Sequence, residues 1–329
     1  MHVHLVKPAP SPFPERLLEL LDEGIEVSTG PETHPETQVL VAGVPTREQL
    51  QASSQLRALV IPWAGLPRVT RELLAEFPAI AVFNLHHNAQ PTAECALALM
   101  LAVAKSIVPV DRALRQGDWR PRYELDRSLL LQGKTALILG YGAIGSRLAA
   151  MCRGIGMQVL ATRNDALTMR DAASAESLPE GVTLHPMVAL SDLLPRADVL
   201  FLALPRTEAT QGVIGRTQLA QLPPHAILIN IGRGGLVEER ALFEALRDRT
   251  IAGAGIDTWY QYPPDEAARP RTLPSELPFH ELDNVVLSPH RAGHSAETNL
   301  LRAEHLAELL NTLQRGEEPA ARVHPERGY

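Results

Sequence analysis

The residues of this chain whose types and spacing can do chemistry fall into a glycine turn and three short segments. The apolar run Ala136-Leu137-Ile138-Leu139 leads into Gly140-Tyr141-Gly142-Ala143-Ile144-Gly145, and a helical pattern follows. In such a strand–turn–helix context each glycine has its own task. Gly140 permits the tight turn, Gly142 lets backbone approach a pyrophosphate, and Gly145 allows helix and strand to pack closely. The helix start presents free N–H groups and the positive end of its dipole to phosphates. A nicotinamide or flavin dinucleotide is the ligand this pattern implies.

Arg233 lies in Asn230-Ile231-Gly232-Arg233-Gly234-Gly235, after a predicted strand. A guanidinium flanked by glycines suits a bidentate grip on a carboxylate, although a surface arginine in a glycine turn reads the same way. His290 in Ser288-Pro289-His290-Arg291 follows another predicted strand and can act as acid or base near neutral pH. Asp257 ends a third strand, where it can accept from a cofactor carboxamide or simply cap a turn. His290 and His294 also raise a metal reading, but Gly293 interrupts any helix there and no glutamate follows His290, so no metal is assigned.

The elements that must position these groups alternate strand and helix. In residues 1–103, short β-type runs at His2–Lys7, Gln38–Val44, Ala58–Ile61 and Ile80–Phe83 enclose helical patterns at Pro14–Asp22, Thr46–Ser54 and Arg68–Glu76. A second α/β series begins near Leu131 and runs to Val285–Leu287, with helices at Ala143–Gly154, Ala189–Leu194, Thr217–Gln221 and Glu238–Arg247. Between the two lie helices at Ala93–Lys105 and Pro109–Gln116. Met169–Glu180 and the proline-rich Tyr262–Pro278 read as loops. The amphipathic helix Ala296–Leu313 follows the last strand and is positioned to return to the first series. The expectation is α/β with two parallel sheets: a discontinuous substrate domain from residues 1–103 plus 296–329, and a doubly wound dinucleotide domain over 104–295.

Composition restricts the partners. The 329 residues carry a formal charge of −7, which argues against a nucleic-acid surface. The first residues have no cationic, apolar leader and no segment is long enough to span a membrane, so the expected location is cytoplasmic. Two cysteines, Cys95 and Cys152, are too few for a disulfide framework.

Taken together, Pro91-Thr92-Ala93-Glu94, the Gly140–Gly145 turn, Ala203-Leu204-Pro205-Arg206-Thr207, the Arg233 and Asp257 segments and Ser288-Pro289-His290 resemble the D-isomer-specific 2-hydroxyacid dehydrogenases over about residues 59–304. The resemblance implies two Rossmann-like domains, the cofactor domain inserted into a smaller flavodoxin-like substrate domain, and a homodimer through the cofactor domain. It implies hydride transfer between NAD(P)H and a small 2-oxo acid, as in glyoxylate/hydroxypyruvate reductases. Arg233 would clamp the carboxylate, His290 would exchange the proton, and Asp257 would orient the nicotinamide. Trp63, Ala64, Gly65, His87 and Asn88 would contact substrate. Gly140, Tyr141, Gly142, Ala143, Ile144, Gly145, Leu204, Pro205, Ile231, Gly232, Arg233 and His290 would line the cofactor.

Tyr262 stands where most relatives of this kind place the glutamate that pairs with the histidine. A neutral tyrosine can only hydrogen-bond, so His290 is expected to be less basic, with Glu266 or Glu281 as candidate substitutes. The loss keeps two alternatives open: a formate-like hydride-donor dehydrogenase, given Asn88, and a catalytically weak dinucleotide-sensing protein. Thr162-Arg163-Asn164, at the end of the second strand of the dinucleotide unit, lacks the acid that grips a ribose diol, which favours NADP(H) over NAD(H).

Overall fold

The computed structural model describes residues 1–124, 128–163, 179–319 and 321–325. The chain forms two compact units, Met1–Ala89 with His294–Tyr329, and Gln90–Gly293.

The first unit holds strands β1 (His2–Leu5), β2 (Glu26–Thr29), β3 (Val39–Val41), β4 (Ala58–Ile61), β5 (Ala81–Asn84) and β13 (Arg322–Val323), in the order β13-β5-β4-β3-β1-β2. All pairings are parallel except that of β13 on β5. Helices α1 (Phe13–Leu20), α2 (Arg47–Gln51), α3 (Arg68–Leu74) and α11 (Thr298–Gln314) cover the sheet. Phe13 and Leu17, one helical turn apart on α1, bury against a core shared with Leu306 and Leu310 of α11. A capping box starts α2: Gln49 N–H donates to Thr46 Oγ1 (3.2 Å) and Thr46 N–H to Gln49 Oε1 (2.9 Å).

The second unit is an all-parallel sheet of β6 (Thr135–Leu139), β7 (Gln158–Arg163), β8 (Val182–Pro186), β9 (Val199–Leu202), β10 (Ile227–Asn230), β11 (Gly253–Ile256) and β12 (Val285–Leu287), in the order β12-β11-β10-β9-β6-β7-β8. Its central strands bury both faces. Leu137, Leu139, Leu200, Leu202 and Leu228 point into one core, while Ala136, Ile138, Phe201 and Ile229 point into the other. That is why these strands read as unbroken apolar runs. Helices α4 (Ala89–Ala104), α5 (Ile107–Leu114), α6 (Pro121–Glu124), α7 (Ala143–Gly154), α8 (Leu190–Leu193), α9 (Arg216–Gln221) and α10 (Glu239–Arg247) complete the unit.

The boundary expected at residue 103 moves to residue 89. The physical reason is α4, whose Ala93, Ala96 and Met100 belong to the core around Phe201 and Ile229. β11 carries glycines where that helix crosses: a Cβ on Gly255 would lie 2.9 Å from Leu99 Cβ, and one on Gly253 2.9 Å from Val103 Cγ1. Strands β2, β8 and β13 lie at sheet edges and were not expected from the sequence. Tyr262–Pro278 holds only turns and bends, and most of Met169–Glu180 lies outside the described residues. Among the described residues no single helix is long and apolar enough to cross a membrane.

Candidate active site

The glycine turn leaves β6 where the strand order reverses, with β7 on one side and β9 on the other. Gly140 has φ +99°, a conformation that favours glycine. A Cβ on Gly145 would lie 1.9 Å from Gly140 O, whereas one on Gly142 would meet no atom within 4 Å. The middle glycine is thus not required by the protein's own packing, and the space beside it is open to a phosphate. Ala143 opens α7, and Ile144 packs on the core beneath. Leu204 and Gly232 sit beside the turn: a Cβ on Gly140 would lie 3.1 Å from Leu204 Cδ2, and one on Gly232 2.8 Å from Leu204 O. Pro205 is exposed and Ile231 buried. These features fit a dinucleotide's pyrophosphate.

At the end of β7 the expected cofactor contacts divide. Thr162 is 0% exposed, and its Oγ1 accepts from Gly140 N–H at 3.3 Å while its carbonyl accepts from Gly140 and Tyr141 N–H. It braces the turn from below. Arg163 is partly buried near Tyr141: burial pushes the Tyr141 phenol up and the Arg163 charge opposes it. Asn164 lies outside the described residues.

Arg233, Asp257 and His290 follow the adjacent strands β10, β11 and β12, and one set of bonds holds their loops. Asn230 accepts from Gly232 N–H (3.1 Å) and its Nδ2 donates to Arg233 O (3.0 Å). The Arg233 side chain is exposed, with Nη1 donating to Gly232 O at 2.7 Å. A Cβ on Gly234 would lie 2.3 Å from Trp259 O, so the loop seats directly on that residue. Buried Trp259 in turn donates from Nε1 to Ser288 O (2.7 Å) and from its N–H to the Tyr262 hydroxyl (3.0 Å).

Asp257 is 1% exposed and accepts from Ser288 Oγ, Arg291 N–H (2.9 Å) and Ala292 N–H (3.1 Å). Its carboxylate therefore clamps the His290 loop. The clamp holds His290 at φ +53°, a left-handed backbone uncommon for a residue with a side chain. The imidazole is exposed, and its ring lies 5.4 Å from that of Tyr262, tilted by 55°. Burial raises the Tyr262 phenol, opposed by the Trp259 N–H, so a neutral ring stands beside His290. Of the two substitutes considered, Glu266 pairs with Arg269 at 2.6 Å and Glu281 lies 3.9 Å from His280.

The substrate residues expected in the first unit gather at the carboxyl edge of its sheet. Asn84 Nδ2 donates to Ala64 O (2.6 Å), which ties the Trp63–Gly65 loop after β4 to the end of β5. Trp63 lies over Gly43, where a Cβ would come within 1.8 Å of the indole. His87 is buried and Asn88 is partly exposed. Burial lowers the His87 pKa to about 4, helped by Arg302, His305 and His86, so the ring is neutral near pH 7. Arg302 of α11 donates from Nε to His87 Nε2 at 3.4 Å.

Sequence reasoning missed Asn230, Trp259 and Arg302. For Arg302 a signal exists: it occupies the stripe that continues through buried Leu306 and Leu309, where a cation is unexpected.

A doubly wound sheet with this turn at its switch point, and with an arginine and a histidine on neighbouring strand ends, defines a dinucleotide-dependent oxidoreductase. The family model for the NAD binding domain of D-isomer specific 2-hydroxyacid dehydrogenases matches residues 97–292. The chain is 36% identical over 239 residues to the glyoxylate reductase of Korarchaeum cryptofilum, covering 72% of this chain and 67% of that one. It is 31% identical over 309 residues to the glycerate dehydrogenase of Methylorubrum extorquens, covering 92% and 87%. Two archaeal D-3-phosphoglycerate dehydrogenases that it also matches are longer, and the chain spans 53% and 57% of them. Among solved structures, a D-isomer specific 2-hydroxyacid dehydrogenase from Xanthobacter autotrophicus Py2, in complex with NADPH and MES, superimposes with a TM-score of 0.79 at 24% identity, covering 100% of this chain and 99% of that one. The chain belongs to the D-isomer specific 2-hydroxyacid dehydrogenase family and is an NAD(P)-dependent oxidoreductase acting on the CH–OH group.

Proposed function

We propose that this chain reduces a small 2-oxo acid to the D-2-hydroxy acid, with Arg233 as carboxylate clamp and His290 as proton donor. The observation that carries the reading is the shared bracing of these two residues: Asn230 and Trp259 fix the Arg233 loop, while Asp257 and Trp259 fix the His290 loop. Groups held this way meet a substrate without reorganising. When bound, the dihydronicotinamide supplies hydride. The Arg233 guanidinium pairs with the substrate carboxylate and polarises the adjacent carbonyl, and protonated His290 donates to the forming alkoxide oxygen. Asp257 and Trp259 are positioning residues. Tyr262 packs against His290 as a neutral neighbour, so it orients the ring without adding charge.

Gly140, Gly142, Gly145 and the start of α7 would hold the pyrophosphate. Arg163, with no acid at the end of β7, favours NADP(H), and the NADPH found with the Xanthobacter structure is consistent with that choice. Trp63, Ala64, Gly65, His87 and Asn88 are the proposed substrate contacts of the first unit. The glyoxylate reductases and glycerate dehydrogenase among the relatives support a substrate of two or three carbons. A homodimer formed through the cofactor unit completes the proposal.

The test is absorbance at 340 nm with glyoxylate, hydroxypyruvate or pyruvate and either NADPH or NADH. Arg233→Ala is expected to lower kcat/KM by about 100-fold or more, in the range seen when a transition-state donor is removed, while NADPH binding measured by fluorescence persists. Undiminished turnover would remove Arg233 from the mechanism.

A further inference from the structure

Helix α4 crosses strand β11 in a register that reaches the His290 loop. A Cβ on Gly253 would lie 2.9 Å from Val103 Cγ1, and one on Gly255 2.9 Å from Leu99 Cβ. Four residues along a helix advance about 6 Å on one face, and two along a strand about 6.6 Å. One further step in the same direction pairs Cys95 with Asp257, whose N–H continues the ladder by donating to Asn230 O at 3.0 Å. The thiol meets the loop there: it is hydrogen-bonded to Ser288, and the charges of Asp257 and Arg291 act on it. Burial and then Asp257 push the thiol up from its ordinary value, with Arg291 and Ser288 opposing, so it keeps its proton near neutral pH.

Ser288 is where the bonds of this loop converge. Its N–H donates to Ile256 O (2.9 Å), and its carbonyl accepts from Trp259 Nε1 (2.7 Å) and His290 N–H (3.1 Å). Its hydroxyl donates to Asp257 Oδ1, and the same carboxylate takes Arg291 N–H (2.9 Å) and Ala292 N–H (3.1 Å). With the hydroxyl proton committed to Asp257, the Ser288 oxygen accepts from the Cys95 S–H. That bond is weak, but it fixes the rotation of the hydroxyl toward the carboxylate. His290 lies between the residues so held, at φ +53°. Cys95 also packs on the core beneath, where a small apolar filler would serve. Filling alone predicts lost stability with an unchanged loop and unchanged kcat.

We propose that Cys95 and Ser288 form a relay from α4 to the Asp257 carboxylate and are positioning residues for His290. This rests on the reading of His290 as proton donor. Both residues act through Asp257 and the loop backbone, which set the direction of the imidazole.

The experiment follows glyoxylate reduction by NADPH and amide hydrogen exchange in the wild type, Cys95→Ala, Cys95→Ser, Ser288→Ala and the double alanine variant, with urea unfolding to register stability. Ser288→Ala is expected to lower kcat about tenfold and Cys95→Ala about threefold, as loss of an ordinary and of a weak hydrogen bond does, while KM changes less than about twofold. Cys95→Ser keeps a donor and should recover most of the loss. In a relay the second substitution removes nothing further, so the double variant should match Ser288→Ala instead of multiplying the two effects. Exchange of the Arg291 and Ala292 amides should quicken in both alanine variants and return toward the wild-type rate in Cys95→Ser. Wild-type kcat in both alanine variants, unchanged exchange at these amides, or multiplied effects on kcat would each overturn the relay and leave the reductase reading intact. If the wild type reduces no 2-oxo acid, the reductase reading fails, and exchange in the free protein decides the relay alone. Faster exchange in both alanine variants, reversed by Cys95→Ser, supports it; equal rates in all the proteins overturn it.

Discussion

His87 is 4% exposed and is held with a pKa near 4 by burial and by the positive charge of Arg302. Its unfolded value is near 6.5, so between these two pH values the unfolded chain binds a proton that the folded chain rejects. The sign follows: stability is full above about pH 6.5, falls as the pH drops, and stops falling from this source below about pH 4. The loss between pH 7.5 and pH 5 amounts to roughly 2 kcal/mol. His87→Gln keeps an acceptor for Arg302 but cannot titrate. Urea unfolding at the two pH values should show a smaller acid loss for His87→Gln than for the wild type, by about that amount. Equal losses would mean that His87 takes up its proton without unfolding. The pair also shows what one residue's sequence context can reveal. His87 was legible as a polar group in a loop after a strand, but its partner lies 215 positions away and only the fold brings α11 to it.

The glycine turn separates two kinds of sequence signal at the scale of an element. Gly145 is required by packing, since a Cβ there would lie 1.9 Å from Gly140 O. Gly142 is not: its backbone is extended at φ −101° and a Cβ would project into open space. Gly145→Ala should therefore cost about 1–3 kcal/mol in thermal or urea unfolding, as overpacking does. Gly142→Ala should leave stability within about 0.5 kcal/mol yet weaken NADPH by at least about tenfold in fluorescence titration. A Gly142→Ala protein that binds NADPH normally would place the pyrophosphate elsewhere. The central strands and α7 were legible because burial on both sheet faces writes continuous apolar runs and the turn writes its glycines. Edge strands β2, β8 and β13 write no such run, because a short strand with one neighbour tolerates Glu26, Ser28, His185 or Arg322. At the candidate site, Arg233 and His290 were visible by type and position. The bracing roles of Asn230, Asp257 and Trp259 were not, because each depends on bonds between loops that follow different strands.

On the scale of the whole molecule, one surface asks for cover. Helix α5 has an apolar side formed by Ile107, Val110 and Leu114, yet none of its eight residues is buried. Trp119 and Leu130 nearby are exposed, and Tyr123 on α6 is 78% exposed. Single exposed apolar side chains are ordinary, but a group of this size within one stretch of chain marks an interaction surface. If a second copy of the chain covers this side of α5, whose residues are at most partly buried, it presents the same surface in return. A stable pair would need roughly 800 Å² from each copy. Light scattering coupled to size exclusion should then give about twice the 35.9 kDa chain mass. Ile107→Glu combined with Leu114→Glu puts two charges on one side of α5, seven residues apart. It should reduce the mass to that of a single chain without changing the circular dichroism. A variant that keeps the doubled mass would assign the dimer to another surface, and a wild type of single-chain mass would leave the apolar side of α5 to a different partner.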